Sequence, residues 1–483
     1  MHPLDRKNAG LQEKLPLKII QFGEGNFLRA FVGYAVQKLN EQASFNGGIA
    51  VVQPIKKGMV HTLKHQEGLY TLFLNGLKNG VETKQKELIS AVVTAVNPYT
   101  NVADYYSLAE EEQLEFIISN TTEAGIAFVH TDRLNMEPPA SFPAKLTQFL
   151  YRRFQFFKGD RSKGVAIIPC ELINYNADTL KEIVLQYTEE WKLNEDFKLW
   201  LEQANSWHNT LVDRIVPGYP KDDEATYQQQ LPYKDQLMVT AEQFFLWVIE
   251  GDKTLAKKLP FHQTDVDVKM VTDLQPYRTR KVRILNGAHT IMVPFSLLFG
   301  NTTVKETVDH RFTGTFVKKA IFEEIIETLP MEREALLQFS EEVLDRFRNP
   351  FIKHQLASIA LNSIAKFKVR VLPSLLAYQE KKAKLPLHIT YAFACLLQFY
   401  KGDFKGKKVP VQDSEEVVEF IANQWKNAST TALVTTVLGN IDFWEKDLTT
   451  VPNLPDAIIV ALEQIDRHGI EEGFYQFKTL SKL

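Results

Sequence analysis

A chain of 483 residues, 45% apolar and 24% charged, has the composition of a globular protein and is too long for one ordinary core, so two or more domains are expected. A formal net charge of −3, with no basic tract beyond short pairs such as Lys56-Lys57, argues against a nucleic-acid partner. Cys170 and Cys395 are the only cysteines, which excludes a disulfide framework and suits a reducing compartment.

The N-terminus, Met1-His-Pro-Leu-Asp-Arg-Lys7, is polar and lacks the apolar core of a secretory signal. The longest apolar runs, near 291–299 and 391–397, fall short of a membrane span. A cytoplasmic protein with no membrane or nucleic-acid partner is the expectation.

The first half alternates short β-like runs with amphipathic segments, the signature of βαβ units around a mostly parallel sheet. Residues 17–22 predict a buried strand ending at Gly23, with further strands at 48–53, 115–120 and 164–170. After about residue 270 the period becomes helical, with apolar spacing over 316–328, 414–427 and 456–468. Asp413 or Ser414 suits a helix N-cap, and Gly469 a C-terminal cap. The expected layout is an α/β domain over 1–270, doubly wound, followed by a mainly α-helical domain over 271–483.

Gly23-Glu-Gly25-Asn-Phe-Leu-Arg-Ala30 follows the first strand and opens an amphipathic helix. Glycines at the first two positions of a dinucleotide fingerprint permit a tight turn and let backbone N–H groups approach a pyrophosphate. The third glycine is missing, its place taken by Leu28. Where an NAD site often carries an acid after the second strand, this chain reads Gln53-Pro-Ile-Lys56-Lys57, whose lysines suit a 2′-phosphate, so spacing leaves NAD and NADP both open. Two further loops, Thr121-Thr-Glu123-Ala-Gly125 and Pro169-Cys-Glu171-Leu-Ile-Asn174-Tyr-Asn176, stand where strands of such a sheet end.

Lys281-Val-Arg-Ile-Leu-Asn286-Gly-Ala-His289 places an amine, an amide and an imidazole at offsets of five and eight. On a helix at about 100° per residue the three side chains share an arc of roughly 140°. Ile284, Leu285, Ala288, Ile291, Met292 and Phe295 form the apolar stripe, into which Lys281 projects with Asn286 and His289 along its flank. A lysine partly removed from water favours its neutral form and is suited to proton exchange. The same spacing also describes a snorkelling lysine beside two solvated polar residues.

His61 and His65 have the i, i+4 spacing of two ligands on one helix face, but lack a third ligand nearby, so no metal is expected. No Gly-x-Ser-x-Gly elbow supports serine chemistry, and Cys170 has no general base among its sequence neighbours.

Together the Gly23–Ala30 loop, Asn209-Thr-Leu-Val-Asp213-Arg-Ile, and Lys281-x4-Asn286-x2-His289 resemble the long-chain polyol (mannitol) dehydrogenase family, from about residue 17 to near the C-terminus. The resemblance implies a Rossmann-type N-terminal domain, an NAD cofactor and a small-molecule substrate. Gln21–Phe31, Asn120–Gly125 and Pro169–Ile173 look most like the members that act on keto-uronates and their aldonate partners. By the family's pattern Lys281 is the proton donor and acceptor, and Asn286 and His289 hold the reacting oxygen. The same pattern puts Asp213 and Lys366 at the substrate. Phe22, Gly23, Gly25, Asn26, Phe27 and Glu123 fall to the cofactor.

Where mannitol dehydrogenase has an asparagine in its Cys-Asp-Asn loop this chain has Leu172, and Ser358 stands where that enzyme has a substrate-contacting arginine. A uronate carboxylate needs a cation, for which Lys366, Arg370 and Arg278 are candidates. The residues alone leave open a free polyol or another keto-uronate as substrate, and a non-catalytic dinucleotide sensor as a different class of function.

Overall fold

The computed structural model describes residues 1–11, 14–121 and 123–481, with Glu123 represented by its backbone. It divides into two compact units, the first comprising Met1–Asn75 and Glu82–Leu274, the second Gly76–Val81 and Gln275–Leu483.

The first unit is built on a six-stranded sheet: β1 (Leu17–Phe22), β2 (Gly48–Val52), β3 (Val92–Val96), β4 (Phe116–Ser119), β5 (Ala166–Pro169) and β6 (Ser206–Trp207). The strands lie in the order β3-β2-β1-β4-β5-β6, all parallel. This is the order of a dinucleotide-binding doubly wound sheet, reversing direction between β1 and β4. Both faces are covered, which explains the unbroken apolar runs. Ile19 packs into the cluster on one face, and Ile20 and Phe22 into the cluster on the other.

Register sets the strand ends level. Phe22 pairs with Val52 and with Ser119, and Ser119 pairs with Pro169. The turns after β1, β2, β4 and β5 therefore leave one edge of the sheet, where doubly wound folds hold their ligands. Helix α1 (26–42) follows β1 and contains a π turn at Arg29–Gly33. Two donors meet carbonyls of that turn: the Tyr70 hydroxyl bonds Arg29 O at 2.8 Å and Arg214 Nη1 bonds Ala30 O at 2.8 Å. The unit also holds α2 (Phe142–Phe156), α3 (Asn176–Glu190) and α4 (Glu195–Gln203). A second sheet comprises β7 (Thr210–Asp213), β8 (Leu246–Glu250) and β9 (Val268–Val271).

The second unit is helical. Its central α5 (Gln275–Phe299) runs 25 residues and is long and apolar enough to cross a membrane, yet 67% of its most apolar window is buried inside the protein, as in a core helix. Around it stand α6 (311–328), α7 (Arg333–Phe347), α8 (Ser363–Arg370), α9 (Leu387–Phe399), α10 (Leu454–His468) and α11 (Ile470–Leu480). Helix α9 is buried at every residue from His388 to Phe399 and packs along α5.

The helix expected over 316–328 begins at Arg311 and carries a π turn at Ala320–Ile325. Ser414 caps Glu415–Asn427 by accepting from Val417 N, and Gly469, at φ 80°, ends α10.

Candidate active site

The glycine turn after β1 is stapled from several sides. Gly23 donates its N–H to Val52 O at 3.0 Å, and Gln21 Nε2 donates to Gly23 O at 2.8 Å. Gly23 has φ +122°, a conformation that L side chains rarely adopt, and a Cβ there would stand 2.9 Å from Asn120 O. It would equally stand 2.9 Å from Leu28 Cδ1, so Leu28 fills the space beside the turn where the fingerprint has its third glycine.

The buried Arg29 reaches back under the turn, donating to Glu24 O at 3.2 Å, to Asn26 Oδ1 at 2.6 Å and to Leu237 O. Gly25 has nothing within 4 Å of an added Cβ, so its backbone stands open at the head of α1. An open backbone at a helix N-terminus, beside a strand end at the switch point, fits a pyrophosphate.

The other expected cofactor residues divide. Phe22 is buried, its ring 5.0 Å from Phe142 and 6.2 Å from Tyr105, so only its backbone borders the turn. Phe27 stacks on Phe31 at 5.0 Å and is half-buried. Glu123 opens a short 3-10 turn, Glu123–Gly125, and its side chain lies outside the described residues.

Glu171 ties the neighbouring strand ends together. One carboxylate oxygen accepts from Thr121 N at 2.9 Å and Thr121 Oγ1 at 3.1 Å, the other from Ser119 Oγ at 3.1 Å, and burial pushes its pKa up. Asn120 Nδ2 donates to Cys170 O at 2.6 Å. The buried Asn176 spans Pro169 O and Thr210 Oγ1, at 3.0 and 3.2 Å. Asn209 Nδ2 donates to Asp178 at 2.8 Å and Glu250 at 2.9 Å, which occupies that residue structurally. Asp213 ends β7 and is buried in the first unit. Leu172 is exposed, and buried Cys170 has its thiol pKa raised well above normal by desolvation, which leaves it a packing residue.

In the second unit, Lys281 and Asn286 are the first and last residues of a π turn within α5. Gly287 N–H reaches Val282 O, a bond across five positions. Such single-turn π segments are frequent at functional sites. The wider turn brings residues five apart toward one face, so the 140° separation of an unbroken α-helix does not apply to Lys281 and Asn286.

His289 is buried rather than along a solvated flank. Its ring lies 4.5 Å from Phe347 and 5.0 Å from His354, the latter edge-on. His354 comes from the segment between α7 and α8, and burial lowers its pKa. No periodic apolar stripe marks it in the sequence.

Helix α8 packs against α5 at this turn. Lys366 and Arg370 sit one helical turn apart on it and are half-buried. Burial lowers both pKa values; for Lys366 the Arg370 charge adds to this and Asp413 opposes it. Lys366 Nζ donates to Ile359 O at 2.8 Å. Among the described residues no carboxylate ion-pairs with either, whereas Lys368 on the same helix is paired with Glu445 at 2.7 Å. Arg278 is half-buried in the first turns of α5, and Ser358 bonds Gln355 O at 2.7 Å on the exposed side. Among the described residues no three metal-ligating side chains cluster, and His61 and His65 are both exposed.

Two family models match the chain: the mannitol dehydrogenase Rossmann domain over residues 17–263 and the mannitol dehydrogenase C-terminal domain over 273–466. The chain is 45% identical to an altronate oxidoreductase of Bacillus subtilis (strain 168) over 479 residues, covering 99% of this chain and 98% of that protein. It is also 45% identical over 464 residues to an altronate oxidoreductase of Escherichia coli O139:H28, covering 95% and 96%. In fold it is similar to a D-sorbitol dehydrogenase in substrate-free form, with TM-score 0.78, 19% identity and coverage of 98% and 100%. A Pseudomonas fluorescens mannitol 2-dehydrogenase in ternary complex with NAD and D-mannitol is similar at TM-score 0.68 and 17% identity, with coverage of 99% and 100%.

Proposed function

The chain belongs to the mannitol dehydrogenase family, and from that premise we propose that it is an NAD-dependent oxidoreductase interconverting D-tagaturonate and D-altronate. The observation that carries the reading is 45% identity with altronate oxidoreductases along nearly the whole chain.

The glycine turn, with the backbone of Phe22, Gly23 and Gly25, the side chains of Asn26 and Phe27, and the Glu123 segment, would hold the dinucleotide. NADH, when bound, supplies the hydride that reduces the carbonyl carbon. Lys281 gives its ammonium proton to the carbonyl oxygen during reduction and takes the hydroxyl proton back during oxidation. Asn286 and His289 donate hydrogen bonds to that oxygen as negative charge develops on it. The α8 cations Lys366 and Arg370 receive the uronate carboxylate, for which half-buried charges without an ion-pair partner are suited. Asp213 would bind a substrate hydroxyl.

The test is NADH consumption by purified protein with D-tagaturonate, with the product identified chromatographically. Formation of D-altronate supports the proposal; a protein that binds NADH yet leaves tagaturonate unreduced contradicts it.

A further inference from the structure

Strand β2 delivers an amide, Gln53, to the place where NAD-binding folds usually carry an acid for the adenosine ribose. That amide is already occupied. Gln53 Nε2 donates to Ile55 O at 2.8 Å and Lys56 O at 3.2 Å, and Oε1 accepts from Val60 N at 3.4 Å. Gln53 thus shapes its own loop and offers no free polar group outward.

A carboxylate reaches the same place from the other side. Glu24, between the two glycines of the first turn, is 7% exposed and accepts the Met59 N–H. Its Oε1 stands 2.0 Å from the point where a Cβ on Gly58 would sit, and Gln53 Oε1 stands 2.6 Å from that point. The two side chains converge over Gly58, where no larger residue fits. Among the described residues no cation forms an ion pair with Glu24. The buried Arg29 guanidinium acts favourably on this charge without forming an ion pair with it, and a buried carboxylate with no direct ion-pair partner beside this strand edge marks a functional candidate.

We propose that Glu24 replaces the missing strand-end acid, receiving the adenosine ribose hydroxyls and excluding a 2′-phosphate, and so sets the preference for NAD over NADP. This rests on the dinucleotide site described under Proposed function. A carboxylate has about four acceptor positions, so the N–H groups of Met59 and of Glu24 itself leave capacity for hydroxyl donors. A 2′-phosphate brings no donor when ionised, and its charge opposes that of Glu24. The neighbouring Lys56 and Lys57 are exposed, and the Glu24 charge offsets what they would offer such a phosphate.

The test is calorimetric titration of the full chain and its Glu24→Gln variant with NAD+ and with NADP+, alongside kcat/KM for NADH and NADPH. The wild type is expected to favour NAD+, and Glu24→Gln to move the affinity ratio toward NADP+ by about tenfold. Gly58→Ala displaces the carboxylate instead of neutralising it, and is expected to move the ratio the same way if the glutamine variant does not fold. An unchanged ratio in a folded variant that still binds NAD+ overturns this inference alone, as does an equal loss of affinity for both nucleotides. Failure of the wild type to bind either nucleotide overturns the dinucleotide reading along with it.

Discussion

The carbonyl oxygen of Arg370 lies 3.2 Å from the point where a side chain on Gly287 would begin. The end of α8 is thereby pressed against α5 one residue beyond Asn286, the last residue of the π turn. Glycine at 287 is what lets the cationic helix sit that close. Gly287→Val is expected to push α8 outward, costing about 1–3 kcal/mol of stability as overpacking and raising KM for the acidic substrate more than it lowers kcat. Thermal unfolding with steady-state kinetics reads both; unchanged KM in a folded variant would separate α8 from substrate binding.

Gly23 combines φ +122° with two close neighbours, Asn120 O and Leu28 Cδ1, each 2.9 Å from an added Cβ. Gly23→Ala therefore faces backbone strain and a clash with main chain, at about 1–3 kcal/mol for the strain. The variant is expected to melt lower and to bind NAD+ at least several-fold more weakly. Wild-type affinity would mean that the turn does not contact the dinucleotide.

Removing the proton donor should leave the cofactor site intact. For Lys281→Ala the expected loss in kcat is about 10²- to 10⁴-fold, the usual contribution of a positioned acid or base, with NAD+ affinity retained. Because lysine rather than a metal handles the proton in this account, wild-type activity is also expected to survive dialysis against a chelator.

Lys145 on α2 is fully buried, with Nζ donating to Ala140 O at 2.6 Å, and burial pushes its pKa down to about 8. In the unfolded chain the same group titrates at about 10.4. Between these values the unfolded state holds the proton more strongly, so stability from this group rises with pH across that window and is lowest below it. The difference in urea-unfolding free energy between wild type and Lys145→Met should accordingly move in favour of wild type from pH 8 to pH 10. A flat difference would place the folded pKa near its ordinary value.

Much of the architecture was legible because a parallel sheet covered on both faces demands unbroken apolar strands. The strands expected at 17–22, 48–53, 115–120 and 164–170 match β1, β2, β4 and β5 to within two residues for that reason, while β3 (Val92–Val96) was not expected. The π turn was not legible: Lys281 to His289 reads as ordinary helix, and a changed hydrogen-bonding register alters no residue type. The apolar stripe correctly put Ile284 and Ala288 inside but left His289 on a flank, because the aromatic shell of Phe347 and His354 comes from distant segments. Glu24 escaped for a similar reason. Its setting depends on Gly58 and Met59, more than thirty positions away, and the dinucleotide fingerprint leaves the residue between its first two glycines unspecified.

The most direct measurement is kcat/KM for NADH-dependent reduction of D-tagaturonate, D-fructuronate and D-fructose under one set of conditions. The expectation is that D-tagaturonate is turned over best, D-fructuronate clearly less well, and D-fructose, which lacks the carboxylate for Lys366 and Arg370, least. Equal or faster turnover of D-fructuronate or D-fructose would contradict it.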